Sequence, residues 1–337
     1  MSDHATTLTS GAIMLGVSGL ELTEWERGFL RDANPLGFIL FARNVDNPDQ
    51  LRRLTSDLRE VVGRDAMVMV DQEGGRVQRL RSPHWTDFPA PLDAAVAGPQ
   101  AAKLRYQLLG QELRAVGIDA DAAPTLDVAR EATHPFLFNR CHGHDADTVA
   151  RMGRAVADGL LAAGVLPCMK HMPGHGLAVV DSHKDLPVVD ASPDQLAAID
   201  FAPFKVLADL PMGMTAHIRF TALDDQPATA SRRMIGIIRQ QIGFDGLLFS
   251  DDIGMNALAG TIGERAQASI DAGCDVVLQC SGVAEDMQAA VKAAGVLSSD
   301  AVRRADRALA MRRPPDTTDP VELRARLSEL ERAAGIA

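Results

Sequence analysis

Short apolar runs recur along the chain. Each is bounded by turn residues and followed by a stretch with apolar positions at helical spacing. Eight runs read as strands: Ala12–Val17, Gly37–Phe41, Ala66–Asp71, part of Ile118–Asp127, Val165–His171, Gly213–Ile218, Gly246–Asp251 and Asp275–Cys280. Between them, Leu51, Leu54 and Leu58 with Val61 and Val62 mark one helix. Leu104, Leu108, Leu109 and Leu113 mark a second, and Met234–Ile242 a third. Strands alternating with helices predict a parallel sheet. Eight such units in 337 residues fit one closed α/β barrel of the (β/α)8, TIM-like type. The alternative on the same pattern is an open, doubly wound sheet.

The polar positions favour the barrel. Arg43 and Asn44, Asp71, Asp127, Lys170 and His171, His217, and Asp251 all fall where a predicted strand ends. A buried parallel strand is apolar nearly throughout. Charges at the C-terminal ends of several different strands are what a barrel active site requires. The bland reading is that strands finish at the surface, which suffices for one strand and not for six. After Pro314-Pro315, the run Asp319, Pro320, Glu322 reads as a helix start. Leu323, Leu327 and Leu330 then form a stripe expected to pack on the barrel exterior. No repeat or linker divides the chain, so it reads as a single catalytic domain over 1–337, with a core over about 10–312 and an extension over 313–337.

Composition narrows the function. Hydrophobic residues are 46% and aromatics only 4%, so the core is mainly aliphatic. The net charge of -11 argues against a nucleic-acid or anionic-membrane partner. Cys141, Cys168, Cys274 and Cys280 form no CxxC and read as reduced, structural residues. The opening MSDHATTLTSGAIMLGVSGL has no basic start and only a short apolar run, so neither a signal peptide nor a membrane span is expected. The cytoplasm is the expected compartment.

Three segments concentrate chemistry. The first is Lys170-His171-Met172-Pro173-Gly174-His175-Gly176, followed by Asp181-Ser182-His183-Lys184. Pro173 and Gly174 forbid a helix, so His171 and His175 are no metal pair on a helix face, and no zinc spacing is present. The Gly and Pro density suggests a loop of defined shape rather than a solvated one. Asp181, two residues from His183, can bond one ring nitrogen and leave the other for proton transfer. Ser182 lacks the G-x-S-x-G setting of a nucleophile. The second segment is Phe249-Ser250-Asp251-Asp252, closing an apolar strand. Neighbouring strand residues face opposite ways, so one aspartate is expected to face the barrel mouth and the other to cap the next turn. Asp251 is the better catalytic candidate. The third is Val70-Asp71-Gln72-Glu73-Gly74-Gly75-Arg76-Val77-Gln78-Arg79. Here Asp71 and Arg79 can bond sugar hydroxyls or a carbonyl. Arg76 reads equally as a ligand or as a partner for Glu73.

Taken together, GFILFARN, VDQEGGRVQR, KHMPGHG, DSHKDLP and GFDGLLFSDDIGM with SIDAGCD, in this order from Gly37 to Asp275, resemble the bacterial β-N-acetylhexosaminidases of glycoside hydrolase family 3, the cytoplasmic cell-wall recycling type. The resemblance implies a single barrel and retaining hydrolysis through a glycosyl–enzyme intermediate. It implies Asp251 as nucleophile and His183, held by Asp181, as acid/base. Asp71, Arg79, Arg140, Lys170 and His171 would bind the N-acetylglucosamine ring. The substrate it implies is a small amino-sugar or muropeptide, N-acetylglucosamine β-1,4-linked to 1,6-anhydro-N-acetylmuramic acid; no cofactor and no metal are expected, and the chain is expected to be a monomer. The family usually carries Ser and an aromatic after the arginine, whereas this chain reads Arg140-Cys141-His142. Two alternatives stay open: phosphorolysis at the same site, and a Schiff-base lyase or aldolase with Lys170 as the amine.

Overall fold

The computed structural model describes residues 10–336. Of the N-terminal stretch read for targeting, Met1–Thr9 lies outside the described residues, as does Ala337 of the C-terminal extension. Eight strands form the sheet: β1 (Gly11–Gly16), β2 (Pro35–Leu40), β3 (Met67–Val70), β4 (Ala120–Asp121), β5 (Leu166–Met172), β6 (Met212–Thr215), β7 (Leu247–Asp252) and β8 (Val276–Gln279). They pair in chain order, all parallel, and β1 pairs with β8 through Ile13 opposite Val277, so the sheet closes. Closure excludes the open doubly wound sheet.

The predicted strands differ from the observed ones mainly at their ends. The exception is Ile118–Asp127. Only Ala120–Asp121 joins the ladder there, because Pro124 offers no N–H. The chain still runs on beside β5: Leu126 N–H donates to the Lys170 carbonyl at 2.7 Å, and Lys170 N–H to that of Pro124 at 3.0 Å. His217 and Ile218 lie beyond the end of β6.

Helices follow the strands and cover the barrel. The three predicted helices are found as Pro48–Val62, Gly98–Arg114 and Arg232–Gln240. Asn47 caps the first by accepting from Gln50 N–H, with Pro48 at its first position. Gly159 sets how closely Gly98–Arg114 meets Ala146–Ala162: a Cβ there would stand 2.4 Å from the Lys103 carbonyl oxygen. The tail forms the helix Pro320–Ala333, capped by Asp319. Leu323 and Leu327 are buried, and Leu330 packs partly buried beside them. Arg105 of Gly98–Arg114 bonds Glu331 at 2.7 Å. All four cysteines are free and buried. Among the described residues, no helix is long and apolar enough to cross a membrane.

Candidate active site

Apolar strands that end in polar residues all point the same way in a parallel barrel. β3 is buried throughout and delivers Asp71 at its end. β5 carries Lys170 and His171, and β7 carries Asp251 and Asp252. They converge on one cavity of about 210 Å³ at the C-terminal face. That lies below the ~300 Å³ at which drug-sized pockets begin and suits a single sugar residue. Asp71, Arg79, Arg140, Lys170, His171, His183 and Asp251 line it. Asp181 stands behind His183, bonded to it.

One wall is an ionic network. Lys170 Nζ donates to Asp71 Oδ1 at 2.8 Å and contacts Glu73 Oε1 at 2.6 Å. Arg79 Nη2 donates to Asp71 Oδ2 at 2.9 Å. Arg140 grips Glu73 with Nε and Nη2 at 2.8 and 2.7 Å. Burial alone would raise both carboxyls, but the cations outweigh it. Lys170 and Arg79 hold Asp71 well below the usual carboxylate range, and Arg140 and Lys170 hold Glu73 down to about 2. The same pairing outweighs burial at Lys170 and Arg140 and keeps both cations charged. Asp127 extends the network, accepting from His171 Nδ1 at 2.7 Å and from His175 N–H at 2.6 Å.

Asp251 lines the same cavity as the network. Burial would raise its carboxyl, yet the His217 and His171 rings more than offset this, and it lies below its ordinary value. It is therefore ionised at neutral pH. Of its neighbours, Asp252 N–H donates to Oδ1 at 2.8 Å. Asp252 does cap the next turn, accepting from Gly254 N–H at 3.0 Å and from Cys280 N–H at 3.2 Å. It also lines the cavity, contrary to strict strand alternation. The β7–β8 register shifts between Phe249 and Asp252, and such an irregularity re-aims side chains. Burial raises the Asp252 carboxyl.

The loop after β5 has a defined path. Gly174 holds φ 140, and a Cβ there would lie 2.8 Å from Asp200 Cβ. A Cβ on Gly176 would lie 2.2 Å from the Val128 carbonyl oxygen. Beyond this anchored base, His183 Nδ1 meets Asp181 Oδ1 at 2.8 Å. The His183 side chain is 63% exposed. The Phe136 ring lies edge-on between His183 and His175, with centroids 6.0 and 5.8 Å away.

Several expectations change. Glu73 does not pair with Arg76; its partners are Arg140 and Lys170. Arg43 and Asn44 are structural: both bond the Val17 carbonyl, and Arg43 also the Cys280 carbonyl. His217 stays beneath the floor, bonding Thr229 Oγ1 and the Asp252 carbonyl. Cys141 packs in a small cluster with Ala129 and Leu137. Sequence reasoning does not single out Phe41, Phe136, Met214 or Met255, which give the cavity its apolar surface. An isolated aromatic or methionine in a loop carries no signal of its own.

The model of the glycosyl hydrolase family 3 N-terminal domain matches residues 13–310. The chain belongs to this family and is a glycoside hydrolase. A Beta-hexosaminidase of Bordetella avium is 40% identical over 292 residues, which cover 83% of each chain. One from Thiobacillus denitrificans is 40% identical over 287 residues, covering 81% of this chain and 79% of its own. Native NagZ from Neisseria gonorrhoeae superposes with a TM-score of 0.82 at 32% identity, over 98% of this chain and 97% of that one. A family 3 beta-N-acetylglucosaminidase from Paenibacillus superposes with a TM-score of 0.85 at 30% identity, over 98% of this chain and 68% of that one.

Proposed function

We propose that the chain is a retaining β-N-acetylglucosaminidase, active as one domain and a monomer in the cytoplasm, that needs neither metal nor cofactor. Its substrate is N-acetylglucosamine β-1,4-linked to 1,6-anhydro-N-acetylmuramic acid, with or without peptide, in peptidoglycan recycling. The observation that carries this reading is the pairing of an ionised Asp251 with the Asp181–His183 dyad at one sugar-sized cavity. Asp71, Arg79, Arg140, Lys170 and His171 bind and orient the N-acetylglucosamine ring. Asp251 attacks the anomeric carbon, while His183, held by Asp181 through Nδ1, gives its Nε2 proton to the departing oxygen. A glycosyl–aspartate ester results. His183 then takes a proton from water, and the hydroxyl oxygen attacks the anomeric carbon and frees Asp251.

Lys170 argues against the Schiff-base alternative. A lysine nucleophile must be an uncharged amine. Lys170 Nζ lies between two carboxylates and is held as an ammonium. The test is nitrophenol release from 4-nitrophenyl N-acetyl-β-glucosaminide by wild type and Asp251→Ala, with and without EDTA. Turnover that survives EDTA and disappears in the variant supports the reading. Equal turnover by both proteins overturns it.

A further inference from the structure

Arg76 stands at the tip of a small hairpin, between the antiparallel segments Gln72–Gly74 and Val77–Gln78. The backbone at this tip is fixed. Gly75 N–H donates to the Phe88 carbonyl at 2.8 Å, and Arg81 Nη2 to the Gly75 carbonyl at 2.7 Å. Gly75 holds φ 58, and a Cβ there would lie 2.7 Å from Ala90 Cβ. The root of Arg76 is therefore anchored, and its side chain lines the cavity.

The head of Arg76 differs from the other lysine and arginines of this cavity. Arg79 and Lys170 are tied to Asp71, and Arg140 to Glu73. Arg76 is exposed and makes no hydrogen bond or ion pair with any described residue. The charges it feels are those of Arg140, Glu73, Asp181 and Arg79. Asp181 is the carboxylate that holds His183. Arg76 and His183 line the same cavity.

A role for Arg76 in binding rests on the function proposed above. If His183 protonates the glycosidic oxygen, the departing group lies beside the dyad and meets Arg76. A guanidinium forms two parallel hydrogen bonds to a carboxylate and has no equivalent match for a neutral sugar. The need for such a group is electrostatic. The chain carries a net charge of -11, and Asp251 and Asp252 line the cavity. Arg79, Arg140 and Lys170 line it too but are already tied to Asp71 and Glu73, so Arg76 is the cavity cation with its guanidinium open to an incoming carboxylate. The geometry points to Arg76 as the residue that selects leaving groups bearing a carboxylate over neutral ones.

The test compares kcat/KM for two disaccharides, N-acetylglucosaminyl-β-1,4-N-acetylmuramic acid and the neutral N,N′-diacetylchitobiose. Arg76→Gln is expected to lower the acidic-to-neutral ratio about tenfold or more, the scale of one hydrogen-bonded charge pair. Arg76→Lys keeps the charge without the fork and falls between. A ratio within twofold of wild type in Arg76→Gln overturns the inference. A binding arm reads the same contact without turnover. Calorimetric titration of the acidic disaccharide into Asp251→Ala, with and without Arg76→Gln, is expected to show about tenfold weaker binding in the double variant. Equal Kd values overturn the inference even if the proposed hydrolysis also fails. Absence of hydrolysis by wild type, with a Kd that still depends on Arg76, counts against the hydrolase reading alone.

Discussion

The strand-borne wall of the cavity and the loop over its mouth hold the same kinds of side chain in opposite ways. On the wall, the Lys170 side chain is 2% exposed and touches two carboxylates. On the loop, the His183 side chain is 63% exposed and touches one. The wall is over-determined: Asp71 and Glu73 each bond two cations, and removing Glu73 leaves the buried Arg140 without its carboxylate. The loop is anchored at its glycine base, at Ala178 and where Val188–Val189 pairs with Arg219–Phe220, while its His183 end faces solvent. This difference suits two tasks. Recognising a sugar ring requires fixed donors and acceptors. Giving a proton to a departing oxygen and then taking one from water requires a group that solvent and product can reach.

Three substitutions sharpen or break that contrast. Asp251→Ala has the largest expected effect, a loss of kcat by about four orders of magnitude. Its melting temperature should stay near that of wild type, because the carboxylate makes few bonds. His183→Ala should lower kcat by about 10²–10⁴ on substrates with poor leaving groups, and much less on nitrophenyl glycosides that need no proton. Equal losses on both substrates would remove the acid/base role. Its stability should be unchanged, since an exposed side chain contributes little. Glu73→Gln should act the other way. Breaking a buried, doubly bonded carboxylate should destabilise the fold by about 3–5 kcal/mol at pH 7 and raise KM. The Glu73 carboxyl drops from an ordinary 4.5 to about 2 in the fold. Its stabilisation is thus complete above 4.5 and fades as pH falls toward 2, so the melting gap between variant and wild type should narrow across that window. A gap that widens on acidification, or a loop variant that melts as early as Glu73→Gln, would erase the contrast between wall and loop.

Much of this architecture is legible in the amino-acid sequence. The apolar runs mark every barrel strand, because buried parallel strands leave a continuous signal. The polar residues ending those runs locate the cavity. Partnerships are not legible. Glu73 stands three residues from Arg76, and local spacing suggests that pair; its real partners are Arg140, 67 residues away, and Lys170 on β5. Asp127 and His171 are 44 residues apart and meet only once β5 runs beside the segment after Pro124. Arg43 ends a strand as Lys170 does, yet it ties strand ends together rather than facing the cavity. Strand alternation makes Asp252 a cap, and the register shift in β7 gives it a place in the cavity as well. Sequence periodicity records which way a regular element faces. It does not record what closes across a barrel.

The central claim is that Asp251 becomes covalently glycosylated. Wild type incubated with a slow 5-fluoro-N-acetylglucosaminyl fluoride and digested for mass spectrometry tests it directly. The account predicts one sugar adduct on the peptide that carries Asp251, absent from Asp251→Ala. Inactivation with the adduct on Asp252 or another residue, or steady turnover of natural substrate with inversion at the anomeric carbon, would contradict it.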